Sequence, residues 1–332
     1  MRLLGVLLAL LLMAAMGVGA TAWFWLDRPL PLASSSVELS IESGATPREV
    51  AQAWVHAGVR VPPRFLYEWF RWSGDARRIR AGSYVIGPEV TPRQLLAKMV
   101  QGDEAFERVR LVEGWTWRQV QAELAKAPHL RQTVASMGDA QLMAALGAAG
   151  IPVEGRFFPD TYLYSRGVSD LTVLRRAFDT MQQHLAAAWA ERRTDLPLKS
   201  IDELLILASI VEKETGRPAE RGLIAGVFIN RLRIGMPLQT DPTVIYGLGD
   251  SFDGNLRKRD LQTDGPYNTY LRNGLPPTAI AMPGLAAIRA SGNPDRTRAL
   301  YFVARGDGSS VFSETLAEHN RAVNQFQRGG SR

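Results

Sequence analysis

Two glutamates, two positions apart, are the residues of this chain best placed for acid-base chemistry. Glu212 and Glu214 follow an apolar run, 204–211, which predicts a helix buried on every face. Residues i and i+2 of a helix point about 200° apart, so one cleft cannot receive both carboxyl groups. An apolar setting can keep a glutamic acid protonated near neutral pH, as a general acid requires. Periodicity does not choose between the two, and ordinary pairing with Lys213 or Arg217 is the alternative interpretation.

Other standard chemistries have no motif in this sequence. It contains no Gly-x-Ser-x-Gly, no Walker loop, no Gly-x-Gly-x-x-Gly and no His-Glu-x-x-His. The 4 histidines are widely scattered and there is no cysteine, so the sequence predicts no metal site, no cofactor and no disulfide.

Polar and aromatic residues alternate in two stretches downstream of the glutamates. The first, 238–246, places Asp241 directly before a proline, a pattern typical of a helix N-cap. The second, 267–277, combines the string Tyr-Asn-Thr-Tyr with Gly-Leu-Pro-Pro and predicts a loop. Aromatic faces mixed with hydroxyl and amide groups suit sugars. The stretch 157–162 is similar, but a buried aromatic turn is the more economical interpretation.

The remaining elements must position these groups, and they indicate an α+β fold. Alternation at 37–41 and glycines at both ends of 82–87 predict strands. Capping boxes predict helix starts at Thr46, Thr91 and Thr116. The aromatic spacing of 65–70 is that of a helix and is usually a core pattern. These features predict a small module at 37–102 and a second unit from about 107.

Further helices are expected at 171–190, 202–215 and 218–234. Gly222 and Gly226 lie one turn apart on the last of these, which predicts close packing against the preceding buried helix. Apolar stretches on either side of Gly306-Asp-Gly-Ser predict a hairpin near the end of the chain.

The first residues predict a membrane anchor. No charge occurs from Leu3 to Leu26, Arg2 precedes this stretch, and Trp23 and Trp25 close it. Roughly 20 apolar residues cross a bilayer core of about 30 Å, and the flanking residues fit a cytoplasmic N-terminus. A cleaved signal peptide is the alternative, but the apolar run exceeds the usual length of its hydrophobic region. We therefore expect an anchor at 1–26 and a proline- and serine-rich linker at 27–36.

Export of the body determines how the net charge of +6 is interpreted. Nucleic acid is an unlikely partner for an exported protein, so the positive charge is expected to serve the cell envelope.

Several long strings resemble the endolytic murein transglycosylase, or YceG-like, family, and the likeness covers nearly the whole chain. The strings are Ala208-Ser-Ile-Val-Glu-Lys-Glu-Thr, Val227-Phe-Ile-Asn-Arg-Leu-Arg-Ile-Gly-Met, Leu238-Gln-Thr-Asp-Pro-Thr-Val-Ile-Tyr-Gly, Glu154-Gly-Arg-Phe-Phe-Pro-Asp-Thr-Tyr, Tyr267-Asn-Thr-Tyr, Gly274-Leu-Pro-Pro and His319-Asn. The resemblance implies a single-pass inner-membrane protein with a LysM-like module at 37–102 and a periplasmic catalytic domain at 107–330. It also implies that the second glutamate of Glu-Lys-Glu, Glu214, is the catalytic residue.

The reaction that the resemblance implies is non-hydrolytic cleavage of peptidoglycan between N-acetylmuramic acid and N-acetylglucosamine, which leaves 1,6-anhydro ends. Residues in matching strings are candidates for binding the substrate: Gln239, Asp241, Tyr246, Asn268 and Tyr270. Glu154 and Asp160 are further candidates for which a structural role is favoured. Strand termination near penicillin-binding proteins and other wall synthases follows from the resemblance and the anchor.

Two other functions stay open from the sequence. One is a hydrolytic muramidase in which Asp241 activates water while Glu214 acts as the acid. The other is a non-catalytic scaffold that binds the wall and recruits synthases through its module and membrane helix.

Overall fold

The chain forms two compact units in a computed structural model that describes residues 2–214 and 217–328. The first unit comprises Met1–Glu107 with Leu163–Val168, and the second comprises Arg108–Tyr162 with Ser169–Arg332. The side chains of 2–9, 11, 12, 15, 18 and 328 are not described. The last residue of the helix expected at 202–215, and the last two residues of the catalytic domain expected at 107–330, lie outside the described residues.

The elements confirm a mixed α+β fold. The helices are α1 (Arg2–Leu26), α2 (Pro47–Ala57), α3 (Pro63–Trp72), α4 (Pro92–Gln101), α5 (Trp117–Lys126), α6 (Asp139–Ala145), α7 (Asp170–Ala190), α8 (Ile201–Glu214), α9 (Arg221–Arg233), α10 (Asp241–Leu248), α11 (Lys258–Gln262), α12 (Leu285–Gly292) and α13 (Leu316–Val323). The strands are β1 (Val37–Ile41), β2 (Gly82–Ile86), β3 (Phe106–Arg110), β4 (Thr161–Ser165), β5 (Tyr301–Ala304) and β6 (Ser310–Ser313).

The first unit contains α1 and packs α2, α3 and α4 with a two-stranded sheet. Strands β1 and β2 are antiparallel, with Val37 opposite Ile86. Trp54 and Phe70 are fully buried in its core. Capping boxes at Thr46 and Thr91 begin α2 and α4, as the sequence predicts. The aromatic run of α3 is only partly core, because Phe65 remains exposed.

Residues 163–168 belong to the first unit although they are distant in sequence. Arg166 forms ion pairs with Glu38 and with Glu107, the latter at 2.9 Å. The hydroxyl of Ser165 donates to Oε2 of Glu104 at 2.6 Å. These polar contacts hold a segment that the sequence assigns to the second unit.

Among the described residues, no helix combines the length and apolar character needed to cross a membrane.

The second unit is built around α8. Residues on all sides of this helix are buried, among them Leu204, Leu207 and Ile210, and it packs against α7, α9, α10 and α12. The predicted buried helix is therefore confirmed. The C-terminal hairpin is also confirmed, with β5 and β6 antiparallel and Tyr301 opposite Ser313. The aromatic residues of 157–162 are buried as expected, but the stretch is not a turn throughout, because β4 begins at Thr161.

The two glycines of α9 are covered by a different neighbour from the one that the sequence suggests. A Cβ atom at Gly222 would lie 2.5 Å from the Asp295 carboxyl group, and one at Gly226 would lie 2.7 Å from the Asp295 carbonyl oxygen. The extended segment after α12 covers this helical face. Helix α9 contacts α8 as well, so the expected packing exists but does not depend on these glycines.

Gly226→Ala tests this close approach. The added methyl group has no space against backbone, so we expect the free energy of unfolding to fall by about 1–3 kcal/mol, measured by urea denaturation. Gly265→Ala in the same unit is the control, since a Cβ there meets no atom within 4 Å. Equal stability of the two variants would show that the 295–297 segment moves aside freely.

Candidate active site

Glu214 occupies the last turn of α8, where the helix meets the loop before α10. Its Oε1 atom accepts a hydrogen bond from the Thr240 hydroxyl. Burial raises the pKa of Glu214 to about 7, while the Thr240 hydrogen bond and the charge of Arg231 act in the opposite direction. The nearby charge of Asp241 raises this pKa further. Glu214 can therefore both hold and release a proton near neutral pH.

Thr240 is fixed by an unusual backbone conformation and by a buried threonine. Gln239 has a φ of 48°, in the left-handed region that non-glycine residues rarely adopt. Its N–H donates to the carbonyl oxygen of Thr269 at 3.0 Å, and the N–H of Thr240 donates to the Thr269 hydroxyl at 3.2 Å. These bonds offset the backbone strain and aim the Thr240 hydroxyl at Glu214.

Arg231 supplies a fixed positive charge beside this site. Its Nε atom donates to the Leu300 carbonyl oxygen at 2.6 Å, and its Nη1 donates to the Leu238 carbonyl oxygen at 2.8 Å. The guanidinium also lies 5.2 Å from the ring centre of Tyr301. Carbonyl oxygens hold this buried cation, so its charge acts on Glu214 from a distance.

Asp241 and Tyr270 form a pair at the exposed side of the site. The Tyr270 hydroxyl donates to Oδ1 of Asp241 at 2.6 Å. Burial, and then this hydrogen bond, raise the pKa of Tyr270. The expected N-cap role of Asp241 is wrong by one position, because Thr240 is the N-cap residue and Asp241 begins α10. The carboxylate of Asp241 instead accepts from Tyr270, at the N-terminal end of the helix, where negative charge is stabilised.

Glu212 makes different contacts from Glu214, as their helical spacing predicts. Its Oε2 atom accepts from the Gly284 N–H at 3.0 Å, and its Oε1 lies 3.7 Å from Nη2 of Arg221. Burial raises the pKa of Glu212, and the Gly284 hydrogen bond opposes this rise. Glu212 thus joins α8 to the loop before α12.

The cations that the alternative interpretation would pair with the glutamates have other partners. Nζ of Lys213 donates to the Gly114 carbonyl oxygen at 3.3 Å, and Nη2 of Arg217 donates to the Asp307 carbonyl oxygen at 2.6 Å.

The five candidate substrate-binding residues fall into two groups. Gln239, Asp241 and Tyr270 surround the Glu214–Thr240 contact, and the Gln239 side chain is exposed. Asn268 is buried, and its amide donates to the Thr263 carbonyl oxygen at 2.7 Å inside its own loop. Tyr246 donates its hydroxyl to Oε2 of Glu154 at 3.1 Å. The structure brings the first three together and engages the other two in internal contacts.

Glu154 is a second acid, after Glu214, whose pKa burial raises to about 7. It is 7% exposed, and its Oε1 accepts from the Trp117 N–H at 2.9 Å. Burial raises its pKa to about 7, against hydrogen bonds from Trp117, Tyr246 and the Gly155 backbone. These contacts link α5 and α10 and agree with the structural role expected for Glu154. Asp160, the other candidate of this kind, accepts from the Thr161 N–H at 2.7 Å.

Three residues around Glu214 escaped the sequence analysis. Thr240 lies between two named candidates, but its position before a helix is equally typical of a capping residue. Arg231 lies within a family string without a distinguishing neighbour, and Thr269 is separated from Thr240 by 29 positions. A pattern of local spacing carries no signal for such a contact.

The described residues contain no group of three or more histidine, cysteine, aspartate or glutamate side chains able to hold a metal ion. Glu214 can be protonated, lies on a buried helix, accepts a hydrogen bond from Thr240 and has the fixed charge of Arg231 nearby. This arrangement is an acid-base site. Residues 39–325 match the YceG-like family, and the chain belongs to that family.

Similar proteins come from several bacteria. The endolytic murein transglycosylase of Bacillus subtilis strain 168 is 30% identical over 309 residues, which cover 88% of this chain and 85% of the relative. That of Streptococcus pneumoniae D39 is 27% identical over 336 residues, which cover 90% of this chain and 60% of the relative. The crystal structure of a putative YceG-like protein from Listeria monocytogenes superposes with a TM-score of 0.54 at 28% identity, covering 86% of this chain and 98% of that one.

Glu154→Gln tests the burial of the second acid. A carboxyl group whose pKa rises on folding, here from 4.5 to about 7, binds its proton more tightly in the native state. Native stability therefore declines as pH rises through this window. Between pH 5 and pH 8 we expect the wild type to lose free energy of unfolding. The variant should lose roughly 2 kcal/mol less over the same range.

Urea denaturation at both pH values measures this difference. The exposed Glu191, changed to Gln, is the control and should show the wild-type pH dependence. Parallel behaviour of the Glu154 variant and the wild type would mean that Glu154 does not change its protonation in this range.

Proposed function

We propose that this protein is a lytic transglycosylase that cleaves peptidoglycan, with Glu214 as its acid and base. The observation that carries the proposal is a glutamate with a pKa near 7, held by Thr240 at the end of a buried helix. Membership of a family whose relatives are named endolytic murein transglycosylases supplies the substrate class. The fold alone would not assign this chemistry.

The proposed reaction needs one carboxyl group. Protonated Glu214 gives its proton to the glycosidic oxygen, and the bond from that oxygen to the anomeric carbon of N-acetylmuramic acid breaks. The resulting carboxylate then accepts the proton of the C6 hydroxyl of the same sugar, whose oxygen attacks the anomeric carbon. A 1,6-anhydro ring forms, Glu214 regains its proton, and no water is consumed.

A near-neutral pKa suits both steps. A general acid and a general base work best when their pKa lies near the operating pH, because the correct protonation state and the driving force for transfer are then balanced. The positive charge of Arg231 limits the rise in the pKa of Glu214 and attracts the carboxylate formed after the first step.

The polar groups around Glu214 are proposed to bind the sugars. Gln239 is exposed beside Thr240, and Tyr270 offers an aromatic ring fixed by Asp241. Aromatic faces and hydrogen-bonding groups together match the two kinds of surface on a sugar. Tyr246 and Asn268 would affect substrate binding indirectly, since Tyr246 positions α10 and Asn268 positions its own loop.

The cellular setting is also a proposal. The uncharged run from Leu3 to Leu26, with Trp23 and Trp25 at its end, supports a single-pass anchor in the bacterial inner membrane and a periplasmic catalytic domain. In that setting the first unit would act as a LysM-like module, and the enzyme would terminate nascent glycan strands beside synthases such as penicillin-binding proteins.

Hydrolysis is a second candidate reaction, and the position of Asp241 favours considering it. Its exposed carboxylate lies near Glu214 and could activate a water molecule. The mass of the products separates the two reactions. We expect fragments from purified peptidoglycan to be one water lighter than hydrolysis products, and reducing ends throughout would establish the muramidase instead.

Glu214→Gln should abolish strand cleavage. The amide cannot donate a proton to the glycosidic oxygen, so we expect the rate to fall by about 10²–10⁴-fold or more, measured by chromatography of released fragments. Glu212→Gln, two positions away, is the matched control and should retain most activity, since its side chain contacts Gly284 and Arg221. Cleavage that survives in the Glu214 variant would remove it as the acid. A wild-type protein that never cleaves would favour the scaffold.

Thr240→Val tests how the pKa of Glu214 is set. The Thr240 hydroxyl stabilises the ionised carboxylate, so its removal should raise the pKa of Glu214. Cleavage requires the protonated acid, and we therefore expect the alkaline limb of the pH–rate profile to move to higher pH. Thr240→Ser retains the hydroxyl and should keep the wild-type limb. A limb that stays in place or moves down in the valine variant would contradict the assignment.

A further inference from the structure

The first unit exposes an aromatic surface that a soluble protein would ordinarily bury. Trp72 is 78% exposed and Phe65 is 54% exposed, both on α3, and Trp23 and Phe24 on α1 are exposed to a similar degree. Large exposed apolar side chains that lie together mark an interaction site. We call the surface formed by these four residues and Trp69 the aromatic face.

Trp25 and Arg93 connect three members of the aromatic face. The Trp25 ring packs edge-on against Phe65, with centroids 6.0 Å apart. The guanidinium of Arg93 lies 4.2 Å from the ring centre of Trp23 and 5.5 Å from that of Trp69. An open cavity of about 860 Å³ lies between α1 and α3, and its lining includes Trp23, Trp25, Phe65, Trp69, Trp72 and the acidic Glu68. The C-terminal half of α1 and one side of α3 thus line the same cavity.

Arginines are frequent in α3 and in the residues that flank it in sequence. Residues 60–80 contain six arginines and two acidic residues, and all six arginines are exposed. The arginines are Arg60, Arg64, Arg71, Arg77, Arg78 and Arg80. Only Arg71 and Arg78 form ion pairs among the described residues, with Glu68 and Asp75. The remaining guanidinium groups are available to anions.

We infer that the aromatic face rests in the headgroup layer of a bilayer that contains anionic phospholipids. Tryptophan rings prefer this layer because they combine an apolar body with a polar N–H group. Exposed arginines beside an apolar helix face add attraction to anionic headgroups. The cavity would receive acyl chains, and the first unit would lie on the membrane. The inference agrees with the anchor under the proposed function but is carried by α3 and its charges.

Site-specific labelling of the full chain in vesicles tests the inference. Because the chain contains no cysteine, an introduced cysteine is the single site that a thiol label can modify. Three variants, Trp72→Cys, Gln52→Cys and Leu10→Cys, each carry one cysteine labelled with an environment-sensitive fluorophore. Gln52 is an exposed residue of α2 in the same unit and is the matched control. Vesicles contain phosphatidylcholine with phosphatidylglycerol, and quenchers are either attached to the lipid chains or dissolved as iodide.

We expect the label at 72 to be quenched several-fold more by the lipid-borne quencher than the label at 52, and to be protected from iodide. Omission of phosphatidylglycerol should reduce this protection. Equal iodide quenching at 72 and 52 would overturn the inference. A label at 72 that responds to peptidoglycan sacculi but not to lipid would also overturn it and would indicate a glycan partner. A label that responds to protein concentration in detergent would overturn it and would indicate a second copy of the chain.

The label at Leu10 separates this inference from the proposed anchor. Protection at 10 with exposure at 72 would support the anchor and reject the aromatic face as a membrane surface. Exposure at 10 with protection at 72 would reject the anchor and retain the aromatic face. Exposure at both positions would reject both.

Discussion

The pKa of Glu214 depends on a balance between burial, which favours the protonated acid, and a few polar groups, which favour the carboxylate. Glu214 ends a helix that is apolar on every side, and the C-terminal end of a helix carries partial negative charge, which disfavours a carboxylate. Thr240 and Arg231 partly offset both effects. Without them the acid would hold its proton too tightly to act as a base, and with stronger partners it would stay ionised. The loop at 235–240, the buried Thr269 and the carbonyl oxygens around Arg231 all maintain this balance.

The fold also separates two acids that lie two positions apart in the sequence. Glu212 and Glu214 share a helix turn, yet one is bound to backbone and Arg221 while the other faces Thr240. A helix that carries both can therefore use one for structural attachment without altering the chemistry of the other. The pKa of Glu154 is also raised to about 7, but its carboxyl group accepts hydrogen bonds from Trp117 and Tyr246. Access to substrate must accompany the shifted pKa.

Local patterns predicted much of this architecture. The capping boxes at Thr46, Thr91 and Thr116, the buried helix and the C-terminal hairpin all form where the sequence indicates. These features depend on neighbours within a few positions. The choice of Glu214 over Glu212 came from family resemblance, since both follow apolar stripes. The partners of Glu214, the segment that covers Gly226 and the grouping of residues 163–168 with the first unit depend on contacts between distant parts of the chain, which periodicity does not reveal.

The contact between Arg231 and Leu300 has a consequence for how the site is assembled. Arg231 lies 69 positions before one of its carbonyl partners, Leu300, so the contacts that hold the charge beside Glu214 are complete only after the residue before β5 has been made. Closure of so long a loop comes late in folding. Most of this chain is therefore synthesised before the proton-transfer centre is complete, and a product truncated before Leu300 would carry Glu214 without this support for Arg231.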